Sequence, residues 1–296
     1  MVLVSPILTE VRYISLSSLG SVYLGKDIRI GREVAVKIGR TDNLSSTLSH
    51  EYHVYKTAAG SMGISPVHWY GKEGPYEVIV LEHLGTSLCD LISAQQFNHE
   101  KTFFFAPQIV RSFCTYRDLT ELLTQLLAVE SLHIRHYIHR DIKPGNIMIR
   151  ADNLQVSAFL TDLGLAELFR NPATYLHNPY STSQSIVGTL PFTSINGQQG
   201  HAQSRRDDLE SLAYTIIYSA CRKLPWSGLS SREAILRKKL SITVEELCKG
   251  LPAPFCKFIN HIRSLAFNEK PDYRYLHSIL LQCSQTETDQ PDNAPL

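Results

Sequence analysis

The stretch IHRDIKPGNIMI, residues 138–149, places charged residues and an amide between apolar ends. Asp141, Lys143 and Asn146 lie within six positions, and Pro144 and Gly145 interrupt any regular element there. An isolated Asp and Asn five positions apart usually belong to a turn, because both residue types favour turns. Whether these three residues carry chemistry therefore depends on what the rest of the chain supplies.

Length and charge limit the classes of function. The chain has 296 residues, with 29 basic and 28 acidic side chains. This length can bury a large core, either in one domain or in two lobes. The balanced charge gives no sign of a basic nucleic-acid-binding face or of a charged block for a membrane surface. We therefore expect local sites to decide selectivity, with no nucleic-acid or membrane partner.

The cysteines and the N-terminal residues bear on the compartment. The six cysteines are scattered without a CxxC pair, which favours a reducing environment. The apolar opening MVLVSPIL lacks a basic region and is interrupted by Pro6, and no apolar run reaches membrane-spanning length. These features predict a cytoplasmic or nuclear protein.

The apolar pattern changes character near residue 85. Before it, short β-branched and aromatic runs predict an antiparallel sheet with strands at 21–25, 33–38 and 76–82, interrupted by one helix at 44–58. After it, apolar residues recur with a helical period and predict helices at 119–133, 207–220 and 255–267.

These patterns predict an α+β fold of two lobes with a cleft between them. We expect a small, β-rich N-lobe over residues 1–84 and a larger, mainly helical C-lobe over residues 85–283. Residues 93–116 follow neither period, and residues 284–296 have the composition of a disordered tail.

Three residues far from the first stretch complete a chemical set. Asp162 follows an apolar, strand-like run, where a carboxylate can bind a divalent cation. Lys37 ends the strand-like VAVK, and Glu51 lies on the next predicted helix. Phosphoryl transfer from ATP needs a cation at the phosphates, oxygen ligands for Mg²⁺ and a carboxylate that orients the attacking hydroxyl.

The candidate residues fill those places. Lys37 would bind the α- and β-phosphates, and Glu51 would hold Lys37 through an ion pair. Asp141 would orient the attacking hydroxyl, and Lys143 would neutralise the γ-phosphate. The metal ligands would be Asn146 and Asp162.

The motifs VAVK (34–37), HRDIKPGN (139–146) and DLG (162–164) occur in the order of the protein kinase signature. The chain resembles the eukaryotic protein kinase family and, within it, the casein kinase I family, to which HEYHVYK (50–56) and SLAFNEKPDYRYL (264–276) are similar. The resemblance spans residues 11–282. It implies a monomeric, ATP- and Mg²⁺-dependent enzyme that phosphorylates serine and threonine in proteins, a preference that Lys143 supports.

The resemblance also implies an adenine site. It makes Leu81 the gatekeeper and gives the adenine hydrogen bonds to the backbone of Glu82 and Leu84. It places Asp208 as a brace beneath the catalytic loop, which is the HRDIKPGN motif at 139–146. The side chains that would enclose the adenine ring are Ile14, Val22, Ala35 and Met148.

The phosphate-binding loop departs from the family pattern. The glycines of G-x-G-x-x-G let backbone amides approach the phosphates, but residues 15–20 read SLSSLG. Ser15 and Ser17 replace two glycines and only Gly20 remains. Because serine rarely adopts positive φ and adds a side chain, we expect weaker ATP binding or slower transfer.

Other departures concern packing and the substrate. Leu163 replaces the usual Phe of the DFG motif in a packing role, and Gly145 replaces an Asp. Casein kinase I enzymes favour acidic or phosphorylated substrates, which they bind through basic residues. Ser181, Gln184 and Pro191 stand where such basic residues are usual, which predicts that the preference is lost.

Two alternative functions remain open. A pseudokinase, which binds a nucleotide or a partner without catalysis, would fit the altered loop; a small-molecule phosphotransferase shares the Asp-x4-Asn pattern. Two smaller features have ordinary interpretations. The run of His133, His136 and His139 is expected to be structural, and the RKK sequence at 237–239 is expected to lie on a solvated helix face.

Overall fold

A computed structural model describes residues 8–17, 20–29, 31–41, 48–101, 116–151 and 156–288. Its N-terminal part is an antiparallel sheet of five strands in the order β1-β2-β3-β5-β4. The strands are β1 (Leu8–Ser17), β2 (Gly20–Asp27), β3 (Arg32–Arg40), β4 (Val67–Glu73) and β5 (Tyr76–Glu82).

The alternation of side chains along β3 separates the two faces of this sheet. Val34 and Val36 pack with Val78 and Val80 of β5 in a small apolar cluster on one face. Successive residues of a strand point to opposite faces, so Lys37 points away from that cluster. Helix α1 (Leu48–Thr57) packs against β4 and β5. The strand pattern thus directs Lys37 to the side on which the chemistry would take place.

The rest of the chain is mainly helical. Its helices are α2 (Leu88–Lys101), α3 (Tyr116–Ile134), α4 (Ile195–Gln198), α5 (Arg205–Cys221), α6 (Arg232–Ser241), α7 (Val244–Leu247), α8 (Pro254–Ser264) and α9 (Tyr273–Thr288). Two small sheets lie among them. One joins β6 (Thr86–Ser87), β8 (Ile147–Ala151) and β9 (Val156–Leu160), and the other joins β7 (Tyr137–Ile138) and β10 (Glu167–Leu168).

The core of this helical part lies where α3, α5, α8 and α9 meet. It includes fully buried side chains on each of these helices: Leu132, Leu212, Phe258 and Leu276. Helix α5 begins at a tight N-terminus, where the Asp207 carboxylate accepts the Ser204 N–H at 2.8 Å and the Ser194 hydroxyl at 2.7 Å. Such contacts satisfy groups that a helix end leaves unpaired. They fix the start of α5, from which Asp208 reaches the catalytic loop.

The predicted α+β fold of two lobes is confirmed. The predicted strands lie within β2, β3 and β5, whereas β1 and β4 were not predicted. The predicted helices correspond to α1, α3, α5 and α8, although α8 ends at Ser264 and not at residue 267. Within the described ranges, no helix combines the length and apolar composition that a membrane span requires.

Three segments differ from their predictions. Helix α2 continues to Lys101, into the segment that followed neither period, and residues 102–115 lie outside the described ranges. Helix α9 continues to Thr288, so the first residues of the predicted tail are helical; residues 289–296 lie outside the described ranges. The predicted solvated face at 237–239 is wrong for Lys239, which is 0% exposed, although Arg237 is exposed.

Candidate active site

The stretch 138–149 runs from β7 through a loop and the 3-10 turn Pro144–Asn146 into β8. Pro144 fixes the first position of the turn, which brings Asn146 back toward Asp141. The Asn146 Nδ2 donates to the Asp141 backbone oxygen at 2.8 Å and to Oδ2 at 3.1 Å. Both side chains are 6% exposed. The structure therefore brings together the two residues that the sequence paired.

Two more side chains contact the Asp141 carboxylate. Lys143 Nζ donates to Asp141 Oδ2 and to Thr189 Oγ1, both at 2.8 Å. The Thr189 hydroxyl donates in turn to Asp141 Oδ1 at 2.8 Å. Both oxygens of the carboxylate are thereby fixed in direction.

Thr189 was not among the predicted site residues. It follows Gly188, whose φ is +89° and where a Cβ would lie 2.4 Å from the Arg140 backbone oxygen. Only glycine tolerates both that φ and that close approach. Gly188 is the one feature of the sequence that marks this position, but nothing in the sequence alone indicates that Thr189 contacts Asp141.

Asp208 supports the catalytic loop from α5, in the place that the resemblance implied. Its carboxylate accepts the backbone N–H of His139 at 2.7 Å and of Arg140 at 2.9 Å. It also contacts His133 Nε2 at 2.9 Å. Burial raises the pKa of Asp208, but these hydrogen bonds and the nearby imidazoles outweigh burial and hold the pKa below its ordinary value.

The three histidines of the run have separate partners. His133 contacts Asp208 and, through Nδ1, the Tyr273 hydroxyl at 2.5 Å. His139 Nε2 lies 3.0 Å from the Thr161 backbone oxygen, and His136 accepts from Arg170. No group of three or more His, Cys, Asp and Glu side chains among the described residues is arranged to hold a metal ion. These contacts agree with the structural interpretation of the run.

Lys37 joins the two lobes through ion pairs. Its Nζ lies 2.6 Å from Glu51 Oε2 and 2.6 Å from Asp162 Oδ1. Lys37 is 3% exposed and Glu51 is 0% exposed. Burial lowers the pKa of Lys37, but the two carboxylates outweigh burial, so its pKa lies above the ordinary value. An ammonium in this position therefore stays charged.

Asp162 is held in an uncommon backbone conformation. Its φ and ψ are both 61°, in the left-handed region that few non-glycine residues adopt. The Tyr55 hydroxyl accepts the Asp162 N–H at 3.0 Å, and the neighbouring Leu163 is fully buried. Such strain is typical of functional sites and persists only where surrounding contacts impose it.

The two proposed metal ligands are linked through the backbone. Thr161, which precedes Asp162, donates its backbone N–H to the backbone oxygen of Asn146 at 2.9 Å. Because Asn146 Nδ2 donates to Asp141, the amide oxygen Oδ1 is the atom that remains for a cation. Mg²⁺ prefers oxygen ligands and in nucleotide sites takes few from protein, the rest coming from phosphates and water. Asp162 and Asn146 therefore fit Mg²⁺.

Apart from Met148, the side chains of the implied adenine site lie on strands of the five-stranded sheet. Ala35 is the cross-strand partner of Leu81, and Val22 is the partner of Lys37. Met148 lies in the C-lobe opposite Ser87 of β6. Ile14 lies at an irregularity in the β1–β2 pairing and is 46% exposed.

The connection between β5 and β6 carries the two implied backbone contacts. The Glu82 N–H already donates to the Pro66 oxygen at 3.0 Å, so a hydrogen bond from Glu82 to adenine would use its carbonyl oxygen. The Glu82 side chain contacts Arg150 at 2.6 Å across the lobes. Leu84 is 3% exposed.

The β1–β2 hairpin contains the residues that the resemblance assigns to the phosphate-binding loop. Ser17 pairs with Gly20, and the two residues between them lie outside the described ranges. Neither Ser15 nor Ser17 has positive φ. A Cβ on Gly20 would lie 2.1 Å from the Ile38 backbone oxygen of β3. Gly20 is thus required because β2 and β3 pack closely at this point, and not because it allows phosphates to approach the backbone.

The residues of this site thus form one connected arrangement across two lobes, in the motif order of a kinase. A comparison with protein families agrees with this geometry: residues 11–270 match the family model described as protein kinase domain. The match covers most of the chain and includes both lobes and the cleft between them. The chain belongs to the protein kinase domain family.

Proposed function

We propose that this chain is an active, Mg²⁺-dependent serine/threonine protein kinase of the casein kinase I type, which transfers the γ-phosphate of ATP to hydroxyls of proteins. The observation that carries this proposal is the fixed carboxylate of Asp141, bound through one oxygen by Lys143 and through the other by Thr189. A carboxylate held in this way can accept a hydrogen bond from the acceptor hydroxyl in a defined direction.

Asp141 acts on the acceptor. Its carboxylate accepts the hydrogen of the acceptor hydroxyl and directs the oxygen toward the γ-phosphorus. The new bond joins that oxygen to phosphorus while the bond from the γ-phosphorus to the β–γ bridging oxygen breaks. The hydroxyl proton passes to Asp141, and ADP leaves with the bridging oxygen.

Lys37 and Lys143 act on the phosphates. Lys37, positioned by Glu51, presents its ammonium to the α- and β-phosphates. Lys143 lies beside Asp141 and stabilises the charge on the γ-phosphate as it is transferred. Asp162 and Asn146 would hold Mg²⁺, which would neutralise charge on the phosphates.

The arrangement around Asp141 favours serine and threonine over tyrosine. Thr189 and Lys143 contact the carboxylate directly, so an acceptor chain that passes over Thr189 lies close to Asp141. A short side chain can present its hydroxyl there, whereas the tyrosine hydroxyl lies at the far end of a long, rigid ring. The resemblance to casein kinase I gives the same preference.

The pseudokinase remains the second candidate because of Ser15 and Ser17, which remove two glycines from the phosphate-binding loop. A small-molecule phosphotransferase is less well supported, since the SIN segment at 194–196 and the start of α5 resemble the peptide-positioning part of casein kinase I. We further propose a monomer in the cytoplasm or nucleus that acts on protein substrates.

A transfer assay with radiolabelled ATP tests the proposal. Casein and three peptides, identical except for Ser, Thr or Tyr at the acceptor position, serve as substrates. We expect Mg²⁺-dependent label in casein and in the Ser and Thr peptides. ATP binding without transfer to any acceptor would favour the pseudokinase, and transfer to Tyr alone would contradict the acceptor preference.

A further inference from the structure

Lys239 is a buried lysine near the end of α6. The side chain is 0% exposed although two of its neighbours in the sequence are also basic. Its Nζ donates to the Leu190 backbone oxygen at 2.9 Å and to the Thr193 backbone oxygen at 2.6 Å. A lysine from a helix of the C-lobe thus binds the segment that directly follows Thr189.

Two aromatic rings complete the surroundings of this ammonium. Nζ lies 5.1 Å from the ring centroid of Tyr214 and 5.1 Å from that of Trp226. Both distances are within the range of a cation–π contact. Burial lowers the pKa of Lys239 to about 7, and the charge of Glu210 acts in the opposite direction. Even a neutral amine keeps two N–H donors, enough for both carbonyls.

Trp226 binds the same segment independently. Its Nε1 donates to the Pro191 backbone oxygen at 2.9 Å. The carbonyls of Leu190, Pro191 and Thr193 are therefore all bound by donors from the helical lobe. Within the segment, Phe192 and Thr193 donate their N–H groups to the Thr189 oxygen at 2.8 and 3.0 Å. Residues 189–193 thus form a short, tightly held piece of backbone.

Stability alone is a weak reason for such a lysine. Removing a charge from water carries a large cost, and well-packed apolar residues often replace buried charges without loss of stability. A lysine does what an apolar residue of equal length does not: it fixes the direction of two backbone carbonyls. The fixed backbone is adjacent to Thr189, whose hydroxyl contacts Asp141.

We propose that Lys239 is a positioning residue that holds Leu190–Thr193 as the platform on which the acceptor polypeptide lies beside Asp141. The proposal rests on the proposed kinase function. Lys239 contacts neither phosphate nor acceptor hydroxyl in this assignment. Its effect on transfer passes through the backbone that it binds.

The kinetic test compares Lys239→Met with Lys238→Met. Methionine keeps an unbranched stem but has no donor, and Lys238 is a half-buried neighbour on the same helix. For Lys239→Met we expect KM for a serine peptide to rise about tenfold or more, with KM for ATP unchanged. With a serine peptide that carries no phosphate, Lys238→Met should leave both constants unchanged. A mere loss of folded protein would lower the apparent kcat and leave both KM values unaltered.

Hydrogen exchange of the backbone amides gives a readout that needs no catalysis. In Lys239→Met we expect the amides of Phe192 and Thr193 to exchange about tenfold faster or more, while those of β3 and β5 are unchanged. If Lys239→Met does not fold, Lys239→Gln is measured in its place. The glutamine side chain is shorter than lysine and does not reach the carbonyls of both Leu190 and Thr193. Should the parent transfer phosphate to no acceptor, the proposed function fails and with it the acceptor role of Lys239, whereas the exchange rates still show whether Lys239 holds the backbone of residues 190–193. Unchanged exchange in 189–193 together with an unchanged peptide KM would overturn the proposal.

Discussion

The catalytic loop and the β1–β2 hairpin face the same cleft but are held in different ways. In the catalytic loop, Asp141 is bound by side chains from its own loop and from the segment carrying Thr189, while Asp208 of α5 binds the loop backbone. In the hairpin, Ser15 is exposed and Gly20 is fixed by its approach to β3. The groups proposed for phosphoryl transfer are thus connected to one another, whereas a phosphate cradle at the hairpin would depend on backbone freedom that serine restricts.

This contrast separates the two leading functions. A pseudokinase is expected to have lost some of the polar residues that phosphoryl transfer needs. This chain has all five that the sequence predicted for that network: Lys37, Glu51, Asp141, Asn146 and Asp162. The hairpin would then tune how tightly ATP is bound or how fast it reacts. Three variants and one comparison of substrates test whether the rate of transfer depends more on this polar network or on the hairpin.

The largest effect is expected from Asp141→Asn. The change removes the proton acceptor and keeps the shape, so transfer should fall about a thousandfold while ATP affinity stays nearly constant. Rates come from the transfer assay and affinity from calorimetry. Asp272→Asn, an exposed position at the start of α9 where Asn can accept the same Tyr275 N–H, serves as the matched control. Equal transfer by Asp141→Asn and parent would contradict the assigned role.

Lys37→Arg should give the next largest loss, on the order of a hundredfold. A planar guanidinium keeps the charge but does not reproduce the two 2.6 Å contacts of the ammonium with Glu51 and Asp162. The exposed Lys26→Arg on β2 makes the same chemical change away from the site. Steady-state kinetics with varied ATP would show the loss; equal kcat/KM for both variants would mean that Lys37 has no such role.

The double change Ser15→Gly with Ser17→Gly should act in the opposite direction. Restoring glycine lets the loop backbone approach the phosphates, and we expect kcat/KM for ATP to rise about tenfold, or about 1.4 kcal/mol. A control with Ser15→Ala and Ser17→Ala removes the hydroxyls without adding backbone freedom. No gain in the glycine variant would show that this hairpin binds phosphates by another geometry.

The smallest effect is expected for a phosphorylated substrate. We predict comparable kcat/KM for a peptide with and without phosphoserine three residues before the acceptor. Ser181 and Gln184 are uncharged, and the Gln184 N–H donates to the Gly200 oxygen at 2.8 Å, which ties this part of the segment to its neighbour. A preference above about tenfold would mean that Arg232, Arg237 or Lys238 supplies an anion site from α6.

Local sequence signals were sufficient for the framework of the fold and for naming the polar residues that the structure brings together. The strands within β2, β3 and β5 and the helices α1, α3, α5 and α8 follow from residue periodicity, which each segment carries by itself. The motif order placed Lys37, Glu51, Asp141, Asn146 and Asp162 in one cleft. Strand β1 was not predicted because its alternation changes phase at Ile14, where its pairing with β2 is irregular, and β4 was not predicted because it has no clear two-residue alternation.

Tertiary structure alone decided the contacts that give these residues their geometry. Lys37 reaches Asp162 across 125 positions, Thr189 reaches Asp141 across 48, and Lys239 reaches Thr193 across 46. Periodicity reports which face of an element is apolar, but not which distant backbone atom a polar side chain meets. The sequence therefore determined which chemical groups this kinase domain possesses. Packing decided that Lys239, which the sequence predicted to lie in solvent, is buried against residues 190–193 beside Thr189.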